Sequence, residues 1–63
     1  MNKVLKLRII EKFDSQIEFA GVIGVDESIV SKVVRGHRAL SGPERTRWAA
    51  ALGSTVKTLF SQN

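Results

Sequence analysis

Apolar positions along the chain recur at helical spacing, and residues suited to capping break the pattern at short intervals. Residues 3–13 (KVLKLRIIEKF) put Leu5, Ile9, Ile10 and Phe13 within one stripe, which predicts a helix. Asp14-Ser15 interrupts it. Ser15-Gln16-Ile17-Glu18 then has the S-x-x-E spacing of a capping box, so a second helix should start at Gln16. Its apolar face is Ile17, Phe19, Ala20 and Ile23, and it should end near Gly24. Asp26 can cap a third helix over about 27–35, with Val30, Val33 and Val34 as its apolar face and Gly36 as its stop. Ser41-Gly42-Pro43-Glu44 repeats the box, with proline in the first turn where its missing N–H costs nothing. The fourth helix should run to about Leu52, bury Trp48, Ala49 and Leu52, and end at Gly53. Ser54 is expected to cap a short fifth turn that returns Leu59 and Phe60 to the core. Strand-like alternation, linkers, repeats and low-complexity segments are absent from the pattern. The expectation is an all-α chain, with residues 1–63 forming a single domain.

The stretch from Ser15 to Gly36, SQIEFAGVIGVDESIVSKVVRG, carries the most functional information. Two short helices joined by a tight turn at Gly24 describe a helix-turn-helix over about 16–35, whose second helix suits the DNA major groove. At 100° per residue, Ser28, Lys32 and Arg35 point away from the three valines, with Ile29 and Ser31 on the flanks. Glu27 and Ser28 open this helix, and that end enters the groove first in the motif. Lysine can donate to guanine O6 or N7, glutamate can accept from cytosine N4, and serine can pair with several bases. Glu27, Ser28 and Lys32 are therefore the candidate base readers. Ile29 could touch a thymine methyl or serve as a partly buried spacer.

Other residues suit the phosphate backbone. Gln16 stands at a helix N-terminus, where free N–H groups and a partial positive charge attract anions. Ser31 and Arg35 flank the reading face. His37 and Arg38 follow in a loop, and the N–H groups opening the fourth helix lie just beyond. Such contacts position a protein on DNA without reading sequence.

Composition agrees with this picture. The chain has 63 residues, a net charge of +4 and a pI near 10.2, which favours a polyanionic partner. Placement says more than the total: Lys32, Arg35, His37, Arg38, Arg45 and Arg47 lie close together, with only Glu44 opposing them. A second basic group, Lys3, Lys6, Arg8 and Lys12, lies on the first helix and reads equally well as a solvated face. With no cysteines, neither disulfides nor thiolate metal sites can brace the fold, so apolar packing must hold it, drawing on 43% hydrophobic residues. No apolar run approaches the ~18 residues of a membrane span, and no signal-peptide pattern opens the chain. A soluble, cytoplasmic protein acting on DNA in a bacterial cell or phage-infected host is expected.

Nothing in the sequence suggests catalysis. His37 is the only histidine, so nucleophile–base pairs and most metal sites lack their parts. Asp26 and Glu27 are adjacent and explained by capping and the helix dipole. Gly21 and Gly24 lack the lysine-serine signature of a phosphate loop. No enzyme activity, cofactor, metal, membrane or small-molecule substrate is expected.

These residues resemble the Cro/lambda-repressor-like family of helix-turn-helix regulators, also called the xenobiotic-response-element (XRE) family. The matching positions are Ser15-Gln16, Phe19-Ala20, Gly24, Ser31-Lys32-Val33, Arg35-Gly36, Trp48-Ala49, Leu52-Gly53 and Leu59-Phe60. They cover nearly the whole chain, and Phe13-Asp14-Ser15-Gln16 resembles the motif start of small phage-type members. The resemblance implies a compact five-helix lambda-repressor-like DNA-binding domain. It also implies that Gln16 clamps a phosphate, that Glu27, Ser28 and Lys32 occupy base-reading positions, and that Arg38 and the start of the fourth helix contact the backbone. Members of this family typically bind palindromic operators in double-stranded DNA as homodimers and repress transcription. One departure stands out. A buried glutamate–arginine pair common in the family is replaced here by Val34 and Ile9, so both charges are absent together and neither is stranded.

The reading is a sequence-specific DNA-binding transcriptional regulator, of the repressor kind. Two alternatives stay open. One is the DNA-binding antitoxin of a toxin–antitoxin pair, for which little chain remains after Phe60. The other is a protein-interaction module that keeps the fold without DNA binding, against which Arg35, Arg38, Arg45 and Arg47 argue.

Overall fold

In the computed structural model, which describes residues 1–60, every helix starts on a side chain that accepts a hydrogen bond from one of its own first-turn N–H groups. Asn2 Oδ1 accepts from the Leu5 N–H (3.0 Å) at the head of α1, Lys3–Phe13. Ser15 Oγ accepts from the Glu18 N–H (3.2 Å) for α2, Gln16–Ile23. Asp26 Oδ1 accepts from the Ser28 N–H (3.3 Å) for α3, Glu27–Arg35. Ser41 Oγ accepts from the Glu44 N–H (3.3 Å) for α4, Gly42–Ala51, and Thr55 Oγ1 from the Thr58 N–H (3.1 Å) for α5, Val56–Phe60. The described residues are otherwise turns and loops, so the all-helical expectation holds.

Several details differ from the sequence reading. The Ser41–Glu44 box is reciprocal, with Glu44 Oε1 accepting from the Ser41 N–H at 2.9 Å. At α2 only the serine half forms among the described residues. Thr55, not Ser54, caps α5; the two hydroxyls are adjacent, and the helix begins one residue later than expected. The apolar faces of α1 and α2 are narrower than the pattern suggested. Ile10 is 41% exposed and Ile17 70% exposed, because the neighbours of each helix cover only the arc around Leu5 and Ile9 or around Phe19 and Ala20.

The core gathers residues from all five helices and the loop residue Leu40. Phe19 sits at its centre, 5.2 Å from the Phe13 ring and 5.3 Å edge-on from Trp48. Val30, Val33 and Val34 bury the inner side of α3. Val34 and Ile9 are both buried, so apolar packing fills both positions.

Two long-range features hold the helices in place. Asn2 donates its backbone N–H to the Val34 carbonyl (2.7 Å) and its side-chain Nδ2 to the Leu59 carbonyl (2.7 Å), joining the head of α1 to the ends of α3 and α5. Arg8 donates from Nε to the Leu52 carbonyl (3.2 Å) and from Nη2 to the Gly53 carbonyl (3.0 Å), covering the end of α4 from α1.

Candidate nucleic-acid interface

The link between α2 and α3 is three residues, Gly24, Val25 and Asp26. Gly24 takes φ +75°, a left-handed conformation open to glycine at little cost, and its N–H and that of Val25 both return to the Ala20 carbonyl (2.9 and 3.0 Å). Asp26 then caps α3 at once. With Phe19 and Ala20 buried on α2 and three valines buried on α3, the turn leaves the opposite side of α3 facing solvent.

That outer side is polar along its whole length. Ser28, Lys32 and Arg35 are exposed, while Glu27, Ile29 and Ser31 are half-buried at its margins. Ile29 packs against the core, which makes it a spacer. Ser28 and Lys32 are four residues apart, as are Ser31 and Arg35, so each pair lies together on the helix surface. The side chains of Glu27, Lys32 and Arg35 make no hydrogen bond or ion pair among the described residues.

α3 ends at Gly36, whose φ of +83° lets the Gly36 N–H reach the Val33 carbonyl (3.1 Å) and the His37 N–H the Lys32 carbonyl (2.8 Å). The chain turns sharply there, and residues 36–39 are exposed until Leu40 anchors the loop in the core. His37 and Arg38 thus continue the polar edge of α3, and their side chains make no hydrogen bond or ion pair among the described residues.

The basic cluster read from sequence divides in two. Arg45 lies 5.9 Å from the centroid of the Phe60 ring, with its Nε buried and unpartnered. Arg47 donates to the Ile23 carbonyl at the end of α2, at a long 3.5 Å. Arg45 is therefore drawn inward and Arg47 makes one long contact with the fold, whereas Lys32, Arg35, His37 and Arg38 stay outward. The sequence reading also missed what Glu44 does electrostatically. Its carboxyl is held below the ordinary value by the Ser41 backbone N–H first and the Ser41 hydroxyl second; desolvation opposes this, and Arg38 and Arg47 add attraction. The S-x-x-E spacing reveals the cap, but not the attraction that Arg38 and Arg47 add to it.

Gln16 stands apart, half-exposed at the first position of α2, with no hydrogen bond linking it to α3 among the described residues. The Gln16 and Ile17 N–H groups beside it have no acceptor among the described residues and point out of the helix start. The structure therefore brings Glu27, Ser28, Ser31, Lys32 and Arg35 onto one side of one helix, adds His37 and Arg38 at its end, and keeps Gln16 on a neighbouring helix start. This set offers donors, one carboxylate acceptor and outward positive charge. Among the described residues there is no grouping of histidine, cysteine, aspartate and glutamate suited to a metal ion, and no helix is long and apolar enough to cross a membrane. Comparison of the chain with protein-family models, with curated proteins and with solved structures finds no match.

Proposed function

We propose that this chain is a sequence-specific double-stranded DNA-binding transcriptional regulator, a repressor built on a lambda-repressor-like helix-turn-helix formed by α2 and α3. The observation that carries this is the division of α3. Three valines are committed to the core, and the opposite side carries Ser28, Lys32 and Arg35, outward and without an intramolecular partner for either cation. A helix held through one face by a tight turn, with a polar and cationic opposite face, is what insertion into a major groove about 12 Å wide requires.

Roles follow from chemistry. Lys32 donates to guanine O6 or N7, Glu27 accepts from cytosine N4, and Ser28 adjusts to either donor or acceptor edges. Ser31, Arg35, His37 and Arg38 meet phosphates along the groove edge, and Gln16 with its free helix-start N–H groups holds a phosphate across it. None of these roles is catalytic. One such helix reads only a few base pairs, so two protomers are expected on a palindromic site, with half-sites centred roughly 34 Å apart.

Selection of bound sequences from a pool of random duplexes tests this. A palindromic consensus is the expected result. Recovery of unenriched sequence at low salt would reduce the protein to a non-specific polyanion binder and overturn the assignment.

A further inference from the structure

Helix α1 carries large apolar side chains outward as well as inward. Leu5 and Ile9 are fully buried, yet Val4, Leu7 and Ile10 are 42%, 62% and 41% exposed, and Met1, just ahead of the helix, is 69% exposed. At i, i+3 and i+6 the three outward residues are neighbours and form one slanting ridge. At 100° per residue Lys3 and Lys6 fall on one flank of that ridge, with Arg8 and Lys12 towards the other and Glu11 as the single carboxylate.

Two notches lie beside the ridge. One, of about 280 Å³, has Leu59 at its floor and Val4, Leu7, Arg8, Glu11, Ser54 and Thr58 at its walls. The other, of about 270 Å³, lies between Arg8, Glu11 and Lys12 on α1 and Leu52-Gly53 at the end of α4. A contiguous apolar ridge rimmed by charge marks an interaction surface more often than plain solvated helix does.

We propose that this face docks an acidic amphipathic helix of a partner protein. Charge selects that occupant. A second copy of this chain laid on the same face would set lysines against lysines with only Glu11 to offset them, a like-charge contact that opposes self-pairing. A lipid surface needs a broad, even apolar face, whereas the outward apolar side of α1 is a ridge of three side chains with a notch beside it at the fifth helix and another at the end of α4. The notches also favour a protein. An apolar side chain of a partner helix fits the Leu59-floored notch, while its carboxylates meet Lys3 and Lys6 on the flank away from Glu11. This surface is independent of the DNA-reading proposal and uses none of its residues.

The test titrates the isotope-labelled 63-residue chain with synthetic peptides, followed by amide chemical shifts. The probe is a helical peptide of about 14 residues with leucines at alternating three- and four-residue spacing and glutamates elsewhere. Its controls are the same peptide with lysine for glutamate and a scrambled peptide of equal composition. The acidic helix is expected to shift the amides of Val4, Leu7, Ile10 and Thr58, and the lysine and scrambled peptides are not. Leu7→Glu should weaken binding by roughly tenfold or more, and Lys6→Glu by roughly threefold. Both positions are solvent-facing, and unchanged circular dichroism checks that each variant is folded. The proposal is overturned if α1 amides stay unmoved, if the scrambled peptide binds as well, or if Leu7→Glu binds undiminished. It is also overturned if phosphatidylglycerol vesicles move these amides and the peptide does not, or if sedimentation shows self-association that Leu7→Glu abolishes.

Discussion

The ends of α3 and α4 are built alike and used differently. Each closes on a glycine with the same pair of back-bonds: Gly36 to Val33 and His37 to Lys32 in one, Gly53 to Ala50 and Ser54 to Ala49 in the other. At α4 one nearby cation is committed. Arg8 spans the Leu52 and Gly53 carbonyls, and the Lys12 ammonium lies over Gly53. At α3 a backbone N–H, that of Asn2, takes the Val34 carbonyl, and Lys32, Arg35, His37 and Arg38 are left facing outward. Positive charge near a helix end thus says little by itself. What separates a structural cation from an available one is whether a carbonyl of the same chain lies within its reach.

The most severe way to break the comparison is to remove the core beneath both ends. Trp48→Ala should cost about 3–5 kcal/mol, enough in so small a domain to lose the fold and both helix ends together. Chemical denaturation followed by far-UV circular dichroism measures it, and a near-neutral result would contradict the buried, edge-on packing on Phe19.

Substitution at the available end should instead leave the fold alone. Lys32→Ala is expected to lose ~1–3 kcal/mol of discrimination between the preferred duplex and random DNA. Gel-shift competition reads this directly, and wild-type discrimination in the variant would remove Lys32 from the readers.

A matched pair of arginines sharpens the contrast further. Arg8→Ala should lower stability by about 1–2 kcal/mol, since two carbonyl contacts disappear, and leave the salt dependence of DNA binding as it was. Arg38→Ala should do the reverse: stability unchanged within ~0.5 kcal/mol, and the slope of log K against log salt flatter by about one unit. Denaturation and salt titration of both variants would show a crossed pattern; parallel behaviour would erase the distinction between the two ends.

A third helix end supplies a smaller effect. α1 closes on Asp14, a non-glycine residue at φ +70° whose N–H returns to the Ile10 carbonyl at 3.0 Å. Relieving that backbone with Asp14→Gly should stabilise the chain by up to ~1 kcal/mol in thermal unfolding, although glycine also loosens the unfolded chain. A lowered midpoint would mean that the aspartate side chain offsets its own strain.

The smallest effect is a pH dependence at the head of α4. The folded Glu44 carboxyl sits below its unfolded value, so its contribution to stability is present above the unfolded pKa. It is lost as pH falls through the lower, folded value. Glu44→Gln should remove that part of the acid sensitivity, and comparing denaturation midpoints of the two proteins across the acid range tests the sign.

The helices were legible because their signals are local. Ser15, Asp26 and Ser41 each cap a helix within three residues of themselves, and three valines at helical spacing define the inner side of α3 and hence its outer side. The residues of the candidate interface followed from the same rotation. What stayed hidden depends on partners distant in the chain. Arg8 looked like one of four surface cations until Leu52 and Gly53, more than forty residues on, came within its reach. Arg45 and Arg47 looked like part of the basic edge until Phe60 and the Ile23 carbonyl took them. Ile10 and Ile17 fit an apolar stripe by spacing, but how wide an arc is covered depends on which helices pack there.

The Asn2 clasp has a consequence for the order of assembly. Its side chain bonds the Leu59 carbonyl across 57 residues, so it closes almost the whole described chain into a loop. The entropy lost on loop closure rises with the logarithm of length, whereas α2 and α3 meet across a three-residue turn. The α1–α2 and α2–α3 junctions, joined by two and three residues, are therefore the inexpensive contacts to form first, and the clasp is expected to close late. By the same reasoning it should loosen early when the chain opens, fraying the two ends while the valines of α3 stay packed. The helix that carries the candidate interface, α3, thus belongs to the part of the chain expected to form early and open late.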